Sequence, residues 1–183
     1  MQHRKTLMLV LTALFAALTA VGAFFKIPFA LAAISLQFLF TAMAGILLGA
    51  GYGALSQLVY VLIGLVGVPI FALGGGFSYV LQPTFGFLLG LIPAAAVIGA
   101  LTARRTGYLT VLAAVLVGDL ILYAVGVPYM YLILHVYMQS AKTFPALLAA
   151  MLVYVPGDTL KIVVVTALAP VLRRTLVKAV PNL

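Results

Sequence analysis

Only two carboxylate side chains, Asp119 and Asp158, occur in the 183 residues. Each falls in or beside an apolar run, where an unpaired charge costs roughly 2.5–3.5 kcal/mol on insertion scales. Asp158 sits in Pro156-Gly157-Asp158-Thr159-Leu160-Lys161. On a helix the i,i+3 spacing puts the carboxylate and the ammonium on one face, about 5–6 Å apart at Cβ. Pro fits the first turn, and the carboxylate then meets the positive end of the helix dipole. Such a pair either neutralises itself, which desolvation makes a poor source of stability, or offers a small polar ligand one strong acceptor and one strong donor. The second reading accounts better for two charges in so apolar a chain. Asp119 has no basic residue at i+3 or i+4. It reads as a protonated acid hydrogen-bonded between helices, with proton coupling as the alternative.

A second chemistry-bearing stretch is Val68-Pro69-Ile70-Phe71-Ala72-Leu73-Gly74-Gly75-Gly76. It cannot continue a helix, and three glycines in a row let backbone N–H groups approach a ligand closely, unless they form only a flexible turn. Phe71, Tyr79, Phe85 and Phe87 cluster around it, as an interfacial aromatic belt or as walls of a site. Ser78 and His135 would make an intramembrane serine hydrolase if the fold joined them. Other chemistries fail. No Cys is present, so thiolate metal sites and redox chemistry are excluded. With no Glu there is no His-Glu-x-x-His site, no metal or other cofactor is expected, and no Gly-x-x-x-x-Gly-Lys-Ser/Thr loop exists to hydrolyse ATP.

The elements that must carry these residues are membrane helices. The chain is 66% hydrophobic and 7% charged, against about 25% charged in soluble domains. A bilayer core about 30 Å thick takes about 20 apolar residues per helix, and breaks at Pro, Gly and basic residues delimit six spans: 6–25, 34–49, 53–67, 84–103, 108–125 and 156–172. The expected fold is therefore a single all-α integral membrane domain over 1–183, six transmembrane helices with irregular outer loops (26–33, 68–83 and 126–155) lining a substrate pocket. With a cytoplasmic N-terminus, six crossings put Arg4, Lys5, Arg104, Arg105, Arg173, Arg174 and Lys178 inside, seven of the ten basic residues. Both termini are then cytoplasmic in a multi-pass protein of the cell membrane. The charge of +8 speaks to topology in a lipid bilayer and not to nucleic acid. The basic N-terminus and Ala30-Leu31-Ala32 mimic a cleaved signal, but removal would strip later helices of a packing neighbour. Lys26 snorkels at the outer end of the first span. Ala13/Ala17 and Ala16/Ala20 give that span two small-x-x-x-small pairs, a smooth face for an internal seam or for a partner protein.

Taken together, Gly74 to Phe87, Pro156 to Lys161, Ile34-Ser35-Leu36-Gln37 and the alanine face resemble the BioY family, over nearly the whole chain and in order. These are the biotin-binding S components of energy-coupling factor (ECF) transporters. The resemblance implies six helices, an outward-facing vitamin pocket, and partnership with a transmembrane coupling subunit and a cytosolic ATPase pair. By position it makes Asp158 and Lys161 the family's Asp-x-x-Lys, places Tyr79, Gly76 and Thr84 in its glycine-rich and Pro-Thr-x-Gly segments, and Gln37 in its first outer loop. Phe71 or Tyr79 would carry the apolar sulfur-containing ring. Ala13, Ala16, Ala17 and Ala20 fall at the docking face for the coupling subunit. Gln82 and Phe85 depart from the commonest family pattern, which has small residues there. Lys26, Lys161 and the glycine-loop amides all remain candidates for the biotin carboxylate. An S component for another small vitamin is the alternative.

Overall fold

The computed structural model describes residues 2–28 and 33–179; the Ala30-Leu31-Ala32 stretch lies outside them. Helix α1 spans Gln2–Phe24, followed by an antiparallel pair of short strands, β1 (Lys26–Pro28) and β2 (Ala33–Ser35). Then come α2 (Gln37–Leu65), a short 3-10 turn (Phe77–Leu81), α3 (Phe85–Thr102), α4 (Tyr108–Leu132), the short α5 (Phe144–Met151) and α6 (Val155–Ala179). Five helical stretches among the described residues are long and apolar enough to cross a membrane.

The second of these is a hairpin. Gln37 Nε2 donates to Tyr60 Oη at 2.7 Å, and Thr41 Oγ1 donates to Gln57 Oε1 at 2.9 Å. In a straight helix residues 23 apart would be separated by about 34 Å, so the chain must reverse between them. It does so at Gly49, whose φ of 80° and ψ of 177° are not helical. A left-handed φ at a reversal favours glycine. Beyond the turn Gly53 lies against Gly45, so closely that a Cβ on Gly53 would stand 2.8 Å from the Gly45 Cα. The two arms, 37–48 and 50–65, are about 18 and 24 Å long. Six helical segments thus run between the ends, as the sequence led us to expect, with the second and third short-armed.

Because the segments alternate in direction, Arg4, Lys5, Arg104, Arg105, Arg173, Arg174 and Lys178 gather at one end, the basic end, with the Gly49 turn. The β1–β2 hairpin, the 66–84 loop and α5 cap the other. α1 packs on α2, α2 on α3, α3 on α4, and α6 closes against α4 and α2. Buried polar groups pin the seams: Gln57 Nε2 donates to Thr19 Oγ1 of α1 and to Ser56 Oγ. Such groups are costly in lipid unless satisfied, and here they tie α1 to the hairpin.

Two expected boundaries move. The second helix begins at Gln37 and not at 34, because 33–35 pair with 26–28. The 126–155 region is mostly helical: α4 runs through Gly126 and Pro128, ends in a π turn (Ile133–Tyr137), and α5 follows. Gly126 reads as a breaker but serves packing, since a Cβ there would stand 2.4 Å from the Phe87 ring.

Candidate functional site

At the end opposite the basic residues the helices leave a cavity of about 110 Å³. That is room for roughly seven to eleven water-sized spheres, the scale of a small fused-ring head group. Its walls come from five places in the chain: Ser35, Gln37 and Phe38; Ala72 and Leu73; Tyr79 and Thr84 with Phe87, Leu88 and Leu91; Leu122 and Tyr123; and Met151, Tyr154, Asp158 and Lys161.

Its most polar wall is the first turns of α6. Lys161 Nζ lies 2.5 Å from Asp158 Oδ1, and both side chains are only 9% exposed. The other carboxylate oxygen accepts from Tyr123 Oη of α4 at 2.5 Å. Tyr123 is in turn edge-on to Phe87 of α3, ring centroids 5.8 Å apart. The acid is thus held by a cation from its own helix and a phenol from a neighbour, which fixes its rotamer. A carboxylate has about four lone-pair positions and an ammonium three donors, so both retain capacity toward a ligand.

The opposite wall is a neutral relay. Ser35 Oγ donates to Gln37 Oε1 at 2.8 Å, Gln37 Nε2 donates to Tyr60 Oη, and Tyr60 Oη donates to the Ile70 carbonyl at 3.1 Å. Gln37 is thereby oriented with its amide on the cavity. Thr84 Oγ1 is buried and makes no hydrogen bond to protein. A buried hydroxyl without a partner is rare, and this one is on the cavity wall. Burial raises the Tyr79 phenol above its ordinary range, so it stays neutral at physiological pH. Tyr79 is held from behind by Phe71 (centroids 4.7 Å) and flanked by Phe85 (6.3 Å).

Five of the sequence-derived candidates, Asp158, Lys161, Tyr79, Gln37 and Thr84, therefore meet around one space. Two do not line it. Phe71 is buried behind Tyr79, edge-on to Tyr60 at 5.5 Å, because the loop folds inward and Phe71 fills the space beside Gly64. Gly76 takes φ 100° and gives its N–H to the Gly64 carbonyl at 2.7 Å, while Gly74 N–H goes to Phe71 O at 3.2 Å. Both amides are spent on shaping the loop. Lys26 reaches across to donate to the Ala72 carbonyl, tying β1 to the rim and not merely snorkelling. Ser78 is exposed, His135 stacks on Tyr131 (centroids 5.3 Å, 15°), and neither lines the cavity; the hydrolase arrangement is not formed. Asp119 lies one turn below Tyr123 on α4, and its Oδ1 is buried without a hydrogen-bond partner. The expected interhelical bond to that oxygen is not made.

The alanine face is divided. Ala16 is 4% exposed and belongs to the core, with Ala20 packed against it, while Ala13 and Ala17 face outward. The two overlapping pairs point different ways because positions 13 and 17 are one turn apart on one side, and 16 and 20 on another. Sequence reasoning missed Tyr123, Tyr154 and Met151, whereas Phe87, read there with the aromatic cluster, does line the cavity. The signal for Tyr123 was its place one turn after Asp119, the one acidic residue of that span; nothing local marked the others.

A bundle of lipid-compatible helices closing over a small, mostly apolar cavity with a charged pair in one wall defines a membrane protein with a binding site for a small solute. The chain belongs to the BioY family, whose sequence profile matches residues 1–178. It is similar to a probable biotin transporter BioY of Lysinibacillus sphaericus, 51% identical over 146 residues, covering 79% of this chain and 74% of that one. A biotin transporter BioY of Thermotoga maritima is 34% identical over 162 residues, 88% and 92% of the two chains. The fold is similar to the crystal structure of the S-component for biotin from an ECF-type ABC transporter, with a TM-score of 0.83 at 26% identity over 95% and 94% of the chains.

Proposed function

We propose that this chain is the biotin-binding membrane subunit of an uptake system energised by separate subunits. The observation that carries the reading is the Asp158, Lys161 and Tyr123 cluster facing a cavity of head-group size. A ureido ring presents two N–H donors and one carbonyl acceptor, which match a buried carboxylate and an ammonium on one helix face. Tyr79, Phe87 and the leucines of α3 supply an apolar surface for the sulfur-containing ring. Gln37 and Thr84 offer further polar contacts, Thr84 through its unpaired hydroxyl. The glycine-loop amides at 74 and 76 are already bonded, so the acid tail runs past Ala72 and Leu73 toward Lys26 at the rim.

The chain has no ATP-binding loop, so its partners are a coupling subunit in the membrane and a cytosolic ATPase pair. Ala13 and Ala17 are the outward part of the alanine face and the part available for docking. The positive-inside rule orients the basic end and both termini to the cytoplasm of a cell-membrane protein, and the cavity outward.

Thermal unfolding of the detergent-solubilised chain against biotin, thiamine, riboflavin and pantothenate tests the ligand. Stabilisation by biotin and by none of the others is expected. Equal stabilisation by another vitamin would replace biotin with that ligand.

A further inference from the structure

The basic end holds a second concavity, of about 360 Å³, whose lining includes Arg104, Arg105, Arg173, Arg174 and Lys178. Two separate segments make it: the turn between α3 and α4, and the last turns of α6. What holds them together is Arg173. Its Nη1 donates to the Thr102 carbonyl at 2.5 Å and its Nη2 to the Ala103 carbonyl at 3.2 Å, capping the C-terminal end of α3 from α6. The guanidinium is spent on carbonyls that no helical N–H satisfies. Its neighbours are not: Arg104, Arg105, Arg174 and Lys178 are exposed, and the one salt bridge among the described residues is the distant Asp158–Lys161 pair. No acidic side chain stands at this end, since Asp119 and Asp158 are the only two and lie toward the middle and the opposite end.

Charge placement by the positive-inside rule needs cations at this end, but it does not need them to converge on one hollow. An apolar surface also leads away from it. On the bilayer side of the hollow Val171, one turn before Arg174 on the same side of α6, is 51% exposed. Cations above and bare aliphatic surface below fit an amphiphile whose anionic group sits at the membrane surface.

We infer that this hollow binds the phosphate of an anionic phospholipid in the leaflet at the basic end. Arg104 and Arg105 hold it from one side and Arg174 and Lys178 from the other, with an acyl chain descending along Val171, one turn below Arg174. Basic pockets between membrane helices recognise such head groups by charge and shape together, and guanidinium pairs suit phosphate oxygens. The lipid would then staple the α3–α4 turn to the end of α6, reinforcing Arg173.

Native mass spectrometry of the full chain released from detergent, with added phosphatidylglycerol or phosphatidylcholine, tests this. Two variants are compared with the unaltered chain, Arg104→Gln/Arg105→Gln and Arg174→Gln/Lys178→Gln, each keeping the cations of the other side. Retained biotin binding shows that each is folded, since neither touches the cavity at the other end. The expected result is one tightly held phosphatidylglycerol per chain, weakened about tenfold or more in either variant, with phosphatidylcholine held poorly by all three. Equal retention of both lipids, or unchanged retention in both variants, would overturn the site. Inorganic phosphate bound with the same variant dependence, without preference for the lipid, would assign the hollow to a free anion and refute the lipid. Loss of copurifying ATPase with lipid binding intact would make it a protein-docking surface and equally refute it.

Discussion

Neutralising Asp158 and Lys161 one at a time and then together gives a prediction whose size follows from their burial. Both side chains are 9% exposed and 2.5 Å apart, so Asp158→Asn leaves an ammonium with almost no water around it, and Lys161→Met leaves a carboxylate bonded only by Tyr123. Stranding one member of a buried pair costs about 3–5 kcal/mol, whereas removing both also removes the desolvation penalty. Asp158→Asn/Lys161→Met should therefore be at least as stable as either single variant. Binding should behave differently. Each single variant removes a charge-assisted hydrogen bond to the ureido ring, about 1.5–3 kcal/mol, or roughly ten- to hundredfold in Kd, and the double variant should recover none of it. Equilibrium binding of labelled biotin and detergent melting temperature, read on all three variants, separate the two effects. Single variants that keep full affinity would show the pair to be structural only. A double variant whose stability loss is the sum of the singles would show that the charges are not coupled, and the burial argument would fail.

Tyr123→Phe removes the phenol that orients Asp158 while keeping the ring against Phe87; biotin affinity, measured by the same binding assay, should fall by roughly tenfold with the melting temperature changed little. Asp119→Asn should be nearly neutral, because a buried carboxyl oxygen without a partner is exchanged for an amide of the same shape; a thermal melt beside the unaltered chain would show it, and a large loss of stability would contradict it. Gly53→Leu should prevent the α2 hairpin from closing, because Gly45 backbone occupies the space a side chain would need, and the protein should be lost from the monodisperse peak on size exclusion. Ala13→Leu/Ala17→Leu should leave biotin binding intact and abolish copurification with the coupling subunit, whereas Ala16→Leu should impair the fold itself, since Ala16 is in the core; the reverse pattern would place docking elsewhere.

The spans were legible because hydrophobic length is a direct physical requirement of the bilayer, and the site was legible because charge in such a chain needs a reason. Asp158 and Lys161 announce themselves by cost. What the sequence hides are features set by packing between helices. Gly126 and Pro128 look like the end of α4, yet neighbouring helices carry the chain through them, and α4 reaches Leu132. Gly49 looks like one glycine in a short turn of several; only the bonds from Gln37 to Tyr60 and from Thr41 to Gln57 reveal how tightly the arms close. Phe71 is indistinguishable in sequence from a wall of the site, but the inward fold of its loop puts it behind Tyr79. The four alanines share a spacing and not a direction, because facing is decided by where α2 lies against α1.

A structure of this chain with biotin bound tests the central claim most directly. The account predicts the ureido ring in the cavity, its N–H groups on Asp158 and its carbonyl oxygen within hydrogen-bond reach of Lys161, with the acid tail toward Ala72 and Lys26. Biotin seated elsewhere on the chain, or in the cavity with its ureido ring turned away from Asp158 and Lys161, would contradict it.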